Sequence, residues 1–194
     1  YYNMAYAYKE LDSESRASEN FRIYLQSNPK NTRKEVDACF RVADIFYLDK
    51  ENALAIEFYE KALAYNTLLN DKALYYVAKA YGYSGEGAVK VSKLKEILTA
   101  YPISKYTMNA TYELANTYSS IGNNDEALLY YDNLIVDFPN SPFLTQAKIG
   151  KANCYLKKWQ YEKAELAYLK VLSEHENEND VCEIAAKGLV DVYT

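Results

Sequence analysis

Residues 115–131 read ANTYSSIGNNDEALLYY, and this stretch holds two short helical patterns with a turn between them. Ala115 and Tyr118 stand three residues apart, as do neighbours on one face of a helix. Gly122 comes next, and glycine favours the left-handed conformation that ends many helices. A second alanine, followed four residues later by a tyrosine, ends the stretch. The stretch therefore predicts a helix, a turn and a second helix.

The same arrangement recurs along the whole chain. The first pair, a small residue and then a ring, recurs at Ala5/Tyr8, Ala43/Phe46, Ala78/Tyr81, Ala115/Tyr118, Ala152/Tyr155 and, in degenerate form, Val190/Tyr193. Successive pairs are 38, 35, 37, 37 and 38 residues apart. The second pair recurs at Ala17/Phe21, Ala55/Tyr59, Ala127/Tyr131 and Ala164/Tyr168, and the third unit departs from it with Lys90/Leu94. Such a period predicts an array of repeats.

Small, aromatic and proline residues at these positions resemble the tetratricopeptide repeat, whose units also carry proline near their ends, here at Pro29, Pro102 and Pro139. The alanines mark places where two helices cross closely, and the rings fill the gaps between helices. The resemblance implies an all-α chain, a right-handed superhelix or α-solenoid of about five helix-turn-helix units plus one trailing helix. Ser141 and Pro142 are expected to open a helix as its cap and first residue.

We expect a single array over residues 1–194, cut from a longer protein. The predicted repeats occupy residues 1–32, 33–70, 71–105, 106–142 and 143–179, and the trailing helix occupies 181–194. The long period and the segments Ala100–Ser104 and Asp137–Pro142 resemble repeats of bacterial cell-envelope proteins, such as outer-membrane assembly lipoproteins and Tol-Pal accessory proteins. This resemblance implies a periplasmic or outer-membrane-associated location, and it leaves the cytoplasm open.

The family frame also predicts a binding groove. We number places within a unit so that the alanine of the first pair is place eight. In this family places five and nine of the first helix face the concave groove, which is lined mainly by first helices. The predicted groove residues are Tyr2, Tyr6, Phe40, Asp44, Tyr47, Tyr75, Lys79, Tyr112, Asn116 and Asn153. The rings would give rigid contact area, and the asparagine amides would hydrogen-bond a peptide backbone.

The 22 tyrosines divide according to the same frame. Ten are expected in the repeat core, namely Tyr8, Tyr24, Tyr59, Tyr81, Tyr101, Tyr118, Tyr131, Tyr155, Tyr168 and Tyr193. Six are expected to point towards the groove, namely Tyr2, Tyr6, Tyr47, Tyr75, Tyr83 and Tyr112, and six have no assigned role. For the groove set, partner contact and packing between neighbouring first helices both remain open.

The sequence argues against one kind of peptide binding that is known in this family, the recognition of a C-terminal carboxylate. Members that bind chaperone tails hold a C-terminal carboxylate with lysine at place five and asparagine at place nine, and with a lysine and an arginine in a later unit. Here Tyr112 precedes Asn116, Ile149 precedes Asn153, and Tyr76 stands where arginine belongs. A carboxylate clamp for chaperone tails is therefore not expected.

Composition and motifs argue against catalysis and against several partners. The net charge of −5 provides no basic field for nucleic acid, and no apolar run is long enough for membrane insertion. His175, the only histidine, lies in an acidic connector and is expected to be exposed. Three scattered cysteines form no metal motif, and the glycines of residues 82–87 lack the lysine of a phosphate loop. We expect no enzyme activity, no cofactor and no metal.

The leading prediction is thus a non-catalytic protein–protein interaction scaffold that binds a protein or peptide in the concave groove. The alternative is a carbohydrate-binding domain of a bacterial outer-membrane glycan-capture system, since tyrosine and tryptophan rings can stack on sugars. Trp159, the single tryptophan, is expected in the turn between the two helices of the fifth unit.

Overall fold

The computed structural model describes residues 1–65 and 67–193. Within those ranges the chain forms eleven α-helices and no strand, as the repeat pattern predicts. The helices are α1 (Tyr2–Glu10), α2 (Glu14–Gln26), α3 (Thr32–Leu48), α4 (Asn52–Ala64), α5 (Asn70–Tyr83), α6 (Gly87–Ala100), α7 (Thr107–Ser120), α8 (Asn124–Asp137), α9 (Leu144–Lys157), α10 (Tyr161–Glu174) and α11 (Asn179–Tyr193).

The helices form two compact units, Tyr1–Tyr106 and Thr107–Thr194, each of which contains several repeats. We call these two the first unit and the second unit. Inside each unit every helix packs on the next one along the chain, α1 to α6 in the first and α7 to α11 in the second. The alanines of the repeat frame lie at these crossings: Ala5, Ala17, Ala43, Ala55, Ala78, Ala115, Ala127, Ala152 and Ala164 are all fully buried. A methyl group lets two helix axes approach closely, which is why the frame requires a small residue there.

The turn inside each helix pair has the same backbone conformation in all five repeats. Seven residues after the place-eight alanine, φ is positive at Asp12 (51°), Lys50 (63°), Gly85 (82°), Gly122 (81°) and Trp159 (59°). Glycine adopts this conformation without cost, whereas a residue with a Cβ is strained there. The prediction for Gly122 is confirmed, and the repeat geometry imposes the same turn on Asp12, which tolerates it, and on Lys50 and Trp159, which do not favour it.

Lys90, the departure in the third unit, lies along the preceding helix. Its side chain runs over Gly82, and a Cβ built on Gly82 would be 2.9 Å from the Lys90 Cδ. The lysine stem thus occupies space that glycine leaves open on α5. This is the expected behaviour of a long side chain whose carbon stem covers backbone while its charge stays near water.

Three local predictions are wrong. Helix α9 begins at Leu144, because Ser141 uses its hydroxyl to accept the Phe143 amide in a turn that precedes the helix. Helix α11 begins at Asn179 rather than at residue 181. Tyr193, expected in the core, is 69% exposed, and its hydroxyl donates to Glu165 at the surface of α10.

Candidate functional site

The best candidate site lies on the first helices of the first unit. We call it the first-helix face. It comprises side chains of α1, α3 and α5, together with Tyr106, which lies after α6 at the end of the first unit. Its members are Tyr2, Tyr6, Asp37, Arg41, Asp44, Tyr47, Lys72, Tyr75, Tyr76, Lys79, Tyr83 and Tyr106. Two connected groups make up this face, one around a carboxylate and one around a tyrosine ring.

Asp37 organises the first group and joins α1 to α3. The hydroxyls of Tyr2 and Tyr6 both donate to Oδ2 of Asp37, at 2.6 and 2.5 Å. Arg41 Nε lies 3.4 Å from the other carboxylate oxygen and donates to the Tyr6 hydroxyl at 3.1 Å. Burial and the hydrogen bond to Asp37 raise the pKa of Tyr2 above its ordinary value. Each of these side chains is held in place by the others.

Tyr76 organises the second group. Its ring contacts those of Tyr47 (6.0 Å between centroids), Tyr75 (5.4 Å) and Tyr106 (6.1 Å). Tyr83 extends the group, with its ring 5.8 Å from that of Tyr47. Edge-on and tilted contacts of this kind suit the positive edge and negative face of aromatic rings. The group therefore forms a continuous aromatic surface across α3 and α5.

Lysines lie over this aromatic surface. Lys72 Nζ is 5.6 Å from the centre of the Tyr76 ring, 4.6 Å from that of Phe40, and 3.5 Å from Asp44 Oδ2. Lys79 Nζ lies 5.9 Å from the centre of the Tyr75 ring. Cations near ring faces are attracted by the ring quadrupole. The surface thus combines aromatic area with positive charge.

The predicted place-nine residues Asp44, Asn116 and Asn153 have a structural role. Each accepts a hydrogen bond from a buried tyrosine fifteen residues later: Tyr59 donates to Asp44 at 2.6 Å, Tyr131 to Asn116 at 2.6 Å, and Tyr168 to Asn153. Where the later residue is Phe21 or Leu94, place nine carries Tyr6 or Lys79 instead. A buried hydroxyl needs an acceptor, and a hydrocarbon side chain does not. The fifteen-residue spacing of tyrosine from aspartate or asparagine is the sequence signal for this contact.

The predicted aromatic ladder at place five is only partly available to a partner. Phe40 and Tyr75 are 3% and 7% exposed, so of the two possibilities left open by the sequence, packing describes them. Both are covered by neighbouring rings and by lysine stems, with the Tyr75 ring stacked 5.1 Å from that of Tyr106. Tyr112, in the second unit, stacks on Phe143 at 4.4 Å. Packing between neighbouring helices thus accounts for these contacts.

The remaining predicted residues Tyr2, Tyr6, Tyr47 and Lys79 are half-buried on the first-helix face. The predicted groove set leaves out five members of that face: Asp37, Arg41, Lys72, Tyr76 and Tyr106. Four of them occupy places two and six of their units, one helical turn from places five and nine. Applying the same frame to places two and six would have found Asp37, Arg41, Lys72 and Tyr76. Tyr106 follows α6 and has no place in the frame.

The expectation of an exposed His175 is wrong. Its ring is mostly buried, with Nε2 3.1 Å from the Thr145 hydroxyl and Nδ1 2.8 Å from Glu178. These contacts anchor the connector between α10 and α11.

Cys39 and Cys154 are buried, and burial raises the pKa of the Cys39 thiol to about 11, which disfavours the reactive thiolate.

Residues 1–65 and 67–193 contain no cluster of three metal-ligating side chains. Across the same part of the chain, every helix is too short or too polar to span a bilayer. Trp159 lies in its predicted turn and is 77% exposed, with its ring 6.2 Å from that of Tyr161.

Ionisation of the buried tyrosines should make the free energy of unfolding depend on pH in the alkaline range. Burial raises the pKa of Tyr168 to about 12, and burial with the nearby Asp44 charge raises that of Tyr59. Tyrosine in an unfolded chain ionises near pH 10, so above about pH 10 ionisation favours the unfolded state. We expect the free energy of unfolding to be insensitive to these groups below pH 10 and to fall between about pH 10 and 12.

Urea unfolding at a series of alkaline pH values, followed by circular dichroism, measures this fall. Tyr168→Phe should have a smaller fall than wild type, because phenylalanine cannot ionise. A fall of the same size in both proteins would contradict the assignment.

The comparisons with known proteins agree with this geometry. Two family models, each described as tetratricopeptide repeat, match residues 36–67 and 109–141. No curated protein matches the sequence. A tetratricopeptide repeat protein from Parabacteroides merdae superposes with a TM-score of 0.78 at 19% identity, covering 98% of this chain and 70% of that one.

Two further solved structures have the same fold. MamA superposes with a TM-score of 0.75 at 18% identity, covering 92% of this chain and 91% of its own. YrrB, described as a protein of these repeats with an unusual peptide-binding site, gives a TM-score of 0.73 at 16% identity, covering 95% and 88%. Residues 36–67 and 109–141 thus match tetratricopeptide repeats, and the chain has the all-α repeat fold of these solved structures. Proteins of this class generally act as non-catalytic scaffolds for protein or peptide partners.

Proposed function

We propose that this protein is a non-catalytic scaffold that binds a protein or peptide segment on the first-helix face of its first unit. The observation that carries the proposal is the aromatic surface around Tyr76. Tyr47, Tyr76 and Tyr106 are half-buried, and Tyr83 is 65% exposed. Half-buried tyrosines that are already held by neighbouring rings offer contact area with little further loss of side-chain entropy.

The hydrogen-bonded group around Asp37 supports the same proposal. Its tyrosine hydroxyls and Arg41 guanidinium are fixed by mutual contacts, so that a partner meets a surface whose conformation is already set. Tyrosine and arginine are also the residue types that most often dominate binding energy at protein interfaces. The peptide-binding description of YrrB is consistent with this class of function.

The test uses Tyr83 and Lys79, which lie at the outer edge of the aromatic surface. Peptides that bind wild type are selected from a random phage library, and their affinities are measured by isothermal titration. We expect the double variant Tyr83→Ala with Lys79→Ala to bind the selected peptides at least about tenfold more weakly, equivalent to about 1.4 kcal/mol. The contacts removed are peripheral, so the melting temperature should change little.

The matched control is Tyr193→Ala with Lys187→Ala, which removes an exposed tyrosine and an exposed lysine from α11. It should bind like wild type. If the selected peptides bind the Tyr83/Lys79 variant as tightly as they bind the control, the first-helix face is not the binding surface.

A further inference from the structure

A second surface, in the other unit, has a different composition. It is a cleft of about 330 Å³ bounded by α8, α9 and α10. Four lysines line it, Lys148 and Lys151 from α9 and Lys163 and Lys170 from α10. Such a concentration of positive charge stands out in a chain whose net charge is −5. We call it the lysine cleft.

Two side-chain rows form the walls of the cleft. Residues 148, 151 and 155 follow one another at helical spacing along α9, and residues 163, 166, 167 and 170 do so along α10. Side chains three, four and seven residues apart lie on one helix face. Each row spans seven residues, which is about 10 Å along a helix axis. The α10 row thus places a lysine at each end and apolar side chains between them.

The charges in the cleft are only partly compensated. Lys151 pairs with Asp132 at 2.5 Å, and Lys148 pairs with Glu174. Among the residues that the structure describes, neither Lys163 nor Lys170 has an ion-pair partner. The α10 side of the cleft therefore carries two uncompensated positive charges.

An apolar floor lies between the lysines. It includes Ile135 and Tyr155, both half-buried, and Leu166, which is 68% exposed. The Tyr155 ring has Lys151 Nζ 5.8 Å and Lys163 Nζ 5.6 Å from its centre. Hydrocarbon surface flanked by positive charge suits a ligand that is itself apolar in the middle and anionic at its ends.

We propose that the lysine cleft binds a short extended acidic peptide, with two carboxylates about 10 Å apart and an apolar side chain between them. In the polyproline II form of an extended chain, which has three residues per turn, residues three apart lie on the same side and are separated by about 9 Å, which matches the Lys163 to Lys170 row. The cleft volume is at the lower end of ligand pockets, so it accommodates one or two side chains and not a whole helix. The carboxylates pair with Lys163 and Lys170, and the apolar side chain covers Leu166.

The experiment measures fluorescence anisotropy of a labelled octapeptide, GSDLFDSG, at low ionic strength. We expect Lys163→Glu with Lys170→Glu to weaken binding at least about tenfold, and Leu166→Ser to weaken it severalfold. The matched control is Lys30→Glu with Lys50→Glu, which changes the net charge equally at two exposed lysines of the first unit. It should bind the peptide almost as wild type does.

Three outcomes would overturn the proposal. One is the absence of measurable binding to wild type at about 1 mM protein, or equal binding to the Lys163/Lys170 variant and the control. Another is equal affinity for GSDSSDSG, which keeps the carboxylates but lacks the apolar side chains and would indicate general charge attraction. The third is that vesicles of phosphatidylglycerol bind wild type while the peptide does not, which would indicate a lipid surface. Circular dichroism of each variant checks that the helices remain folded.

Discussion

Replacing Tyr59 with alanine will lower the free energy of unfolding of the first unit by about 3–5 kcal/mol. Tyr59 is fully buried, its ring lies 5.8 Å from that of Tyr76 and 6.1 Å from that of Phe40, and its hydroxyl donates to Asp44. Alanine would leave a cavity between α3, α4 and α5 and an acceptor on Asp44 without this donor. Urea unfolding followed by circular dichroism measures the change.

Two further variants separate the sources of this loss. Tyr59→Phe keeps the ring and removes the hydrogen bond, so a loss of only about 0.5–1.5 kcal/mol is expected. Tyr161→Ala removes a partly exposed tyrosine from α10, and its effect should stay within about 0.5 kcal/mol. A Tyr59→Ala variant no less stable than Tyr161→Ala would show that the repeat core does not depend on this ring.

Replacing Gly150 with alanine will destabilise the second unit by up to about 2 kcal/mol, although alanine is the better helix former. A Cβ at Gly150 would overlap the ring of Tyr131, which is buried and has its hydroxyl bonded to Asn116. Overpacking of this kind costs about 1–3 kcal/mol, and the gain in helix propensity is about 1 kcal/mol. A Cβ at Gly188 would overlap the Tyr168 ring in the same way, so Gly188→Ala should behave alike. Urea unfolding measures both changes.

The chain itself suggests the compensating change. The third unit has Leu94 where the fourth has Tyr131, so Tyr131→Leu should make room for the methyl group that Gly150→Ala adds. The double variant should therefore be less destabilised than the sum of the two single variants. Gly87→Ala serves as the control, because a Cβ there meets nothing within 4 Å. If Gly150→Ala is as stable as Gly87→Ala, the contact with Tyr131 is not limiting.

Much of the fold could be predicted from the sequence because the same pattern of small and aromatic residues recurs in successive repeats. Nine alanines at fixed places fall at helix crossings, and all nine are fully buried. Helix ends were less predictable, as α9 shows. Ser141 and Pro142 have the composition of a cap and a first residue, yet the serine hydroxyl forms a turn ahead of the helix. Local composition allows both arrangements, so the sequence alone does not decide between them.

The candidate site was predictable as a region and not as a set of contacts. Several residues at places five and nine lie on the first-helix face, but the repeat frame does not determine which side chains cover one another. Phe40 is buried because the Lys72 stem and the Tyr59 ring cover it, and those residues come from other helices. Asn116 and Asn153 were assigned to a ligand, while buried tyrosines of the paired helix use them as acceptors.

The sequence by itself determined the repeat period, the order of helices and the alanines at their crossings, since these depend on residue size and helical spacing within a unit. Only the tertiary structure decided which tyrosines are surface and which are core. That choice depends on hydrogen-bond acceptors and ring contacts supplied by helices distant in the sequence. The same is true of the lysine cleft, since the side-chain rows of α9 and α10 line one cleft only when the two helices pack together.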